Sequence, residues 1–307
     1  MKNGRIAIIA DMEGITGVDT PGDCFPHTAG YWESSVNMMA ADVNAIAAGL
    51  WEGSEGINIR VIDAHFTGQN LEHAKLNSKI ELINYFDLTN CDAVVLCGHH
   101  SKAATVDGFL SHTLYPHLRV RINGEDVGEL RLYQWLAGIK NIPVIMLTGD
   151  NIAIREASDF MPQVQSLSVK MSQGRASAVS YSLDAMRRLL REGAREALGR
   201  IDGFQAVSPP KRVNLEISIW KREEAELISK MRGAQRMWVR TIRFPKIRNF
   251  NDAFRTIFDS MGVVMDFWGE SMVDRSIAYS SWRGVNSKWL KDFTEEWLTE
   301  PADDWYK

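Results

Sequence analysis

Acidic and imidazole side chains stand at the downstream ends of predicted strands, or just past them. The candidate ligands are Asp11, Glu13, His65, His100 and Glu129. In open α/β sheets, ligands bind in the crevice beyond the carboxyl ends of the strands, so we expect these side chains to form one site. A mixture of carboxylates and imidazoles suits zinc or manganese better than it suits a structural thiolate site. The sequence therefore predicts a metal centre at this edge of a sheet.

Two short segments each place a pair of polar side chains on one side of an extended backbone, because residues i and i+2 share a face. In DMEG, Asp11 and Glu13 repel each other unless a cation lies between them or one is protonated. A solvated pair at a loop, or a helix-capping aspartate, explains the same residues. In DAH, Asp63 could accept a hydrogen bond from a metal-bound His65, or it could be an ordinary strand-end group.

The other candidates have equally plain alternatives. His99 and His100 end an apolar segment, and alternation predicts that only one of them faces the site. His112 lies twelve residues beyond His100, so it can lie in the same crevice as a proton shuttle, or it can be a turn histidine. Glu129 begins a predicted helix, where the helix dipole alone favours a glutamate.

Four short segments are β-branched and apolar on both faces, which is typical of strands buried between layers of helices. They are residues 5–11, 58–65, 91–98 and 142–148. Helical patterns alternate with them at residues 32–52, 128–139, 151–160 and 182–200. This alternation predicts an α/β fold, with a three-layer αβα domain and a mostly parallel or mixed sheet over residues 1–205.

The segment AVSPPKR at 206–212 interrupts this pattern, because paired prolines end regular elements. Beyond it, the pattern predicts a strand at 213–220, a helix at 222–232, a strand at 236–243 and a helix at 250–262. We therefore expect a smaller α+β unit over 206–265. The remaining stretch, 266–307, is a tryptophan-rich tail, which we expect to dock on its own chain or on a sister subunit.

The composition argues against several classes of partner. The formal net charge is −4 and the lysine and arginine residues are scattered, so nothing predicts binding to nucleic acid or to a membrane. Three cysteines without CxxC spacing fit a reducing compartment rather than a disulfide framework. No signal peptide is apparent, and no apolar segment approaches the ~20 residues that span a bilayer. We therefore expect a cytoplasmic protein.

Several short segments, taken in order, resemble the DppA-type D-aminopeptidases, a metallopeptidase family associated with bacterial dipeptide-transport operons. They are DMEG at 11–14, DAH at 63–65, GHHSKA at 98–103, GFLSHT at 108–113, INGEDVGELRL at 122–132 and PVIMLTGD at 143–150. The resemblance covers residues 5 to about 180 well and 181–265 more loosely. The tail has no counterpart in it.

The resemblance implies roles for the candidate residues. Asp11, Glu13, His65, His100 and Glu129 would bind two zinc ions, with Asp11 between them, and His112 would be the catalytic histidine. Manganese is the alternative metal. The family forms ring-shaped homo-oligomers, such as a decamer, and its members release N-terminal D-residues such as D-alanine from short peptides. The resemblance thus predicts a metal-dependent aminopeptidase.

Two other interpretations remain. A dimetal hydrolase could act on a phosphoester or a non-peptide amide, since clusters of Asp, Glu and His serve phosphatases too. Among the matched segments, Lys102 and Arg131 are the cations that a phosphate would need. The chain could also be a non-catalytic peptide-binding member of the fold, although buried carboxylates without a cation are costly. A substrate panel separates the first alternative, and the metal content separates the second.

Overall fold

The computed structural model describes residues 4–26, 28, 30–66, 68–72, 75–83, 86–267 and 295–298. The chain divides into two compact units. Unit 1 comprises residues 1–101, 107–110 and 137–208, and unit 2 comprises residues 102–106, 111–136 and 209–307.

Unit 1 is built on a seven-stranded sheet whose strands are parallel except at one edge. In chain order, the strands are β1 (Arg5–Ala10), β2 (Asn58–Asp63), β3 (Ile80–Ile83), β4 (Ala93–His99), β7 (Val144–Asp150), β8 (Gln165–Ser172) and β9 (Ala178–Ser180). The order across the sheet is β3-β2-β1-β4-β7-β8-β9, and only β9 pairs antiparallel with its neighbour. The central strands β1, β4 and β7 are almost wholly buried, as their apolar sequences predict.

Helices pack against this sheet. They are α1 (Val36–Gly53), α3 (Asn151–Ser158) and α4 (Leu183–Gly199). A π-helical turn, Tyr31–Ser35, leads into α1, which packs against α4 and touches β1 and β4. In α4, arginines alternate with the buried apolar positions Met186, Leu190 and Leu198, so one face is buried and the other is solvated. The parallel sheet and its helices confirm the predicted α/β class.

Unit 2 is an α+β unit with a five-stranded antiparallel sheet. Its strands are β5 (Leu118–Ile122), β6 (Glu125–Val127), β10 (Val213–Ile219), β11 (Gln235–Arg236) and β12 (Thr241–Ile247). Their order is β11-β12-β10-β5-β6. Its helices are α5 (Arg222–Ile228) and α6 (Phe250–Phe267), together with the start of α2 (Glu129–Ile139). Both α5 and α6 pack on β10 and β12. No helix in the described part of the chain is both long enough and apolar enough to cross a membrane.

Two features of this architecture differ from the sequence-based expectation. The strand predicted at 236–243 is wrong, because the chain turns inside it: the Met237 and Trp238 amides both donate to the Thr241 carbonyl, and Trp238 is 71% exposed. The division of the chain also differs from boundaries at 205 and 265. Residues 111–136 belong to unit 2, because β5 pairs with β10 from the other side of the 206–212 break. Of the predicted tail, 266–307, most lies outside the described residues.

Candidate metal centre

The segment DMEG follows β1 and stays tied to the end of β4. The Asp11 amide donates to the Cys97 carbonyl at 2.8 Å, and the Gly14 amide donates to the Gly98 carbonyl at 2.7 Å. The two backbones approach so closely that a Cβ on Gly14 would overlap the His99 carbonyl oxygen. Gly98 has φ +73°, and a Cβ there would lie 2.5 Å from the Asp11 carbonyl oxygen. Glycine at both positions lets the ends of β1 and β4 meet.

The bend at Gly98 brings two consecutive histidines to Asp11. The pairing register of β4 with β7 shifts between Leu96 and His99, so simple alternation fails at this point. His99 Nδ1 and His100 Nε2 each lie 3.5 Å from Asp11 Oδ2. The expectation that only one of the pair faces the site is therefore wrong. His99 is therefore a further candidate site residue that the sequence pattern did not indicate, although Gly98 just before it signals a break in the alternation.

Asp11 stands at the centre of the cluster and is only 3% exposed. Its Oδ1 accepts from the Met12 amide at 2.9 Å and lies 3.3 Å from His65 Nδ1. Its Oδ2 faces the two histidines at the end of β4. One oxygen of this carboxylate thus faces one imidazole, and the other oxygen faces two.

Glu13 joins the group on the Oδ1 side. Its Oε2 lies 3.2 Å from His65 Nδ1. Candidate ligand atoms of Asp11, Glu13 and His65 all lie within 4.8 Å of one another, and all three residues are buried. This spacing suits a single cation held by two carboxylate oxygens and one imidazole nitrogen.

Backbone carbonyls orient the three imidazole rings. In each ring, one nitrogen faces the carboxylates while the other lies within hydrogen-bonding distance of a carbonyl oxygen. The carbonyl contacts are His65 Nε2 to Cys24 at 2.9 Å, His99 Nε2 to Ile9 at 3.2 Å and His100 Nδ1 to Ser101 at 2.9 Å. A carbonyl can only accept, so each contacting nitrogen carries the proton. In a neutral ring the other nitrogen then keeps its lone pair for a metal.

Asp63 organises the loop after β2 and is not the partner of the His65 ring. Its carboxylate accepts from the Asn70 and Leu71 amides at 2.6 and 2.8 Å and from the Asn70 side chain at 2.9 Å. It also accepts from the His65 backbone amide at 3.3 Å. Of the two interpretations open from the sequence, the structure favours the strand-end group, which fixes the backbone that carries His65.

The backbone that follows DMEG is held by two buried charged residues. The amide and hydroxyl of Thr16 donate to Asp42 Oδ2 on α1 at 2.9 and 2.7 Å. Burial raises the pKa of Asp42 to about 6, although the Thr16 hydrogen bonds oppose the rise. Lys170 on β8 donates to the Val18 carbonyl. These contacts fix the backbone on both sides of Gly17, which has a positive φ of 87°.

The electrostatics of the cluster call for a positive charge. Burial by itself would lower the pKa of His65, but the neighbouring carboxylates of Glu13 and Asp11 raise it well above its usual range. The protein therefore stabilises a cation at the point that His65 Nδ1 shares with the two carboxylates. A divalent metal can replace the proton there, because metal binding requires the deprotonated imidazole. The donor set thus fits a metal ion.

The remaining two predicted site residues, Glu129 and His112, lie together in unit 2. Glu129 is the first residue of α2, where its Oε1 accepts from the Leu114 amide at 2.7 Å. His112 Nε2 lies 3.8 Å from the same oxygen, and the Tyr133 hydroxyl lies 3.4 Å from Oε2. Glu129 thus lies at the start of a helix, as expected. Its contact with the Leu114 amide joins it to the loop that carries His112.

The loop that carries His112 is fixed by the next residue. The buried Thr113 hydroxyl accepts from the Ala103 amide at 3.2 Å and donates to the Val127 carbonyl at 3.3 Å. These bonds tie the loop to the end of β6 and to the segment 102–106. The backbone next to His112 is therefore fixed by hydrogen bonds.

Comparison with known proteins gives one family. The model of the D-aminopeptidase family, peptidase M55, matches residues 4–258. The D-aminopeptidase of Bacillus subtilis (strain 168) is 30% identical over 243 residues, which cover 75% of this chain and 87% of that protein. A solved structure described as the Zn-dependent D-aminopeptidase DppA from Bacillus subtilis, a self-compartmentalizing protease, is also similar. Its TM-score is 0.79 at 26% identity, covering 85% of this chain and 98% of that one.

Proposed function

Because the chain belongs to the D-aminopeptidase family of peptidases, we propose that it removes the N-terminal residue, a D-amino acid such as D-alanine, from short peptides in a reaction that depends on two zinc ions. The two-metal proposal rests on the position of the two carboxylate oxygens of Asp11. Oδ1 faces His65, whereas Oδ2 faces His99 and His100. A carboxylate so placed can serve two cations at once.

The proposed ligands follow from the positions of the two Asp11 oxygens. Glu13 and His65 would join Asp11 Oδ1 at one ion, and His100 would join Oδ2 at the other. Glu129 is proposed as the fifth ligand on the strength of the VGELRL motif. Three carboxylates offset three of the four positive charges of two zinc or manganese ions. The remaining positive charge would attract the oxygen of the scissile carbonyl.

When bound, such a pair of ions would lower the pKa of a coordinated water towards neutrality and would polarise the substrate carbonyl. The protein's own part is to place the carboxylates and one nitrogen of each imidazole so that they face the ions. The hydrogen bonds from His65 and His100 to backbone carbonyls fix the ring orientation, so that the other nitrogen of each ring faces inward. His112 is proposed to give a proton to the leaving amine, or to hydrogen-bond the developing oxyanion.

A substrate panel tests the proposed reaction. The zinc- or manganese-loaded protein would be given the p-nitroanilides of D-alanine, L-alanine and N-acetyl-D-alanine, together with p-nitrophenyl phosphate. We expect cleavage of the free D-alanyl compound, slower cleavage of its L-enantiomer and none of the N-acetylated compound. Faster turnover of the phosphoester would favour the phosphatase alternative. Absence of both turnover and bound metal would favour a peptide-binding module.

A matched pair of variants shows whether the activity belongs to this site. Glu13→Gln removes one charge from the proposed ligand set, and we expect it to abolish most turnover. Glu81→Gln removes the same charge from β3, where Glu81 pairs with Arg60 at 3.2 Å. We expect that control to retain wild-type turnover. Equal activity of the two variants would contradict the assignment of Glu13.

The assembly and location belong to the same proposal. The similar DppA is described as self-compartmentalizing, and we propose a ring-shaped homo-oligomer, such as a decamer, for this chain. Its mass in solution, measured by light scattering, tests this. A cytoplasmic location is supported by Cys24, Cys91 and Cys97, which are all buried free thiols.

A further inference from the structure

A short piece of the C-terminal tail packs inside unit 2. Residues 295–298 form one helical turn. They lie beyond residues 4–258, the part of the chain that the family model matches. Within this turn, Trp297 is only 1% exposed and is among the largest fully buried side chains of the described residues. An extension outside the family's own core therefore contributes a buried aromatic ring.

That ring contacts the proposed catalytic histidine. The ring centroids of Trp297 and His112 lie 5.6 Å apart, with an interplanar angle of 80°. This is an edge-to-face arrangement, which aromatic pairs favour. His112 also approaches Glu129, with Nε2 3.8 Å from Oε1. The imidazole thus has a carboxylate near one nitrogen and an indole against the ring.

An ion pair holds the turn in place. Glu296 Oε2 lies 2.9 Å from Lys221 Nζ, at the start of α5. Both side chains are partly exposed, so the pair orients the turn more than it stabilises the fold. Glu296, in the ion pair, and Trp297, with its buried indole, are consecutive residues, and together they fix the turn at two points.

We propose that Trp297 is a positioning residue, which holds the His112 imidazole in the orientation needed for proton transfer. The inference rests on the proposed function, in which His112 transfers that proton. Without the indole, the ring gains rotational freedom about its side-chain torsions, and fewer molecules hold it in the reactive geometry. The helical turn at 295–298 then helps to position the catalytic histidine of this chain.

Three full-length variants test the inference by steady-state kinetics on D-alanine p-nitroanilide, with bound metal measured in parallel. We expect Trp297→Ala to lower kcat by about 10- to 100-fold, with KM within about threefold of wild type and the metal content unchanged. Trp297→Phe keeps an edge-to-face ring and should recover most of kcat. Trp238→Ala removes a tryptophan that is 71% exposed, and it should behave as wild type.

The outcomes separate this inference from the proposed function. If His112→Ala retains turnover, the assigned role of His112 fails, and the inference fails with it. If His112→Ala is inactive while Trp297→Ala matches Trp238→Ala, only the positioning role is overturned. Equal losses in Trp297→Ala and Trp297→Phe, accompanied by loss of metal, would also overturn it, because they indicate a structural plug.

Discussion

At the scale of residues, the proposed metal centre depends on how single atoms surround Asp11. One oxygen of this carboxylate faces His65 and the other faces the histidines at the end of β4. The sequence predicted that Asp11 and Glu13 project together, because a period of two governs extended chain. It did not predict that His99 would contact Asp11, because that contact depends on the left-handed bend of Gly98.

The role assigned to His112 gives the first prediction. His112→Ala should lower turnover by about 10²- to 10⁴-fold, which is the usual contribution of a general acid or base. The bound metal should stay nearly unchanged, because His112 is not among the proposed ligands. Kinetics and elemental analysis on the same preparation check both points. Loss of metal together with activity would make His112 a ligand and contradict its assigned role.

His99 gives a second prediction. His99→Phe keeps a ring of similar shape but removes the nitrogen that lies 3.5 Å from Asp11 Oδ2. We expect metal affinity or activity to fall by about 10- to 100-fold, because this nitrogen lies beside the Asp11 oxygen that would bind the second ion. Titration of the metal-free protein with zinc measures the affinity. Wild-type affinity and turnover would show that His99 only fills space.

At the scale of elements, the ends of the central strands bring the donors together. The buried strands β1 and β4 were predicted from their apolar, β-branched sequences. The pairing of β5 with β10 joins residues nearly a hundred positions apart, and no local pattern encodes it. The turn at Met237 and Trp238 was missed for a related reason: apolar residues in an exposed turn read as a strand.

The close approach of β1 and β4 gives a third prediction. Gly98→Ala forces an alanine into the left-handed region of backbone conformation. It also places a Cβ only 2.5 Å from the Asp11 carbonyl oxygen. Gly124→Ala is the matched control, because Gly124 has φ +90° with open space around its Cβ position. The control should cost about 1–3 kcal/mol of unfolding free energy from backbone strain alone. Gly98→Ala should cost more and should also displace Asp11.

Denaturant unfolding and metal content distinguish the two glycine variants. We expect Gly124→Ala to keep its metal and Gly98→Ala to lose it. Equal stability and equal metal content in the two variants would show that the contact between Gly98 and Asp11 does not shape the site.

At the scale of the whole molecule, the family comparison confirms the resemblance read from short motifs, and with it the class of enzyme. The motifs sufficed because six of them occur in order, and five of the six carry a proposed metal ligand or the proposed catalytic histidine. The tail could not be interpreted in the same way, since it lies beyond the family match. The contact of Trp297 with His112 needed coordinates.

The number of metal ions bound by each chain is the sharpest test of the proposed two-metal centre. The purified protein would be loaded with zinc, freed of excess ion by dialysis, and measured by elemental analysis. Because the two carboxylate oxygens of Asp11 face different histidines, we expect two zinc ions per chain. We expect both ions to be lost in Asp11→Ala. A wild-type protein that retains one ion or none would contradict a two-metal centre at Asp11.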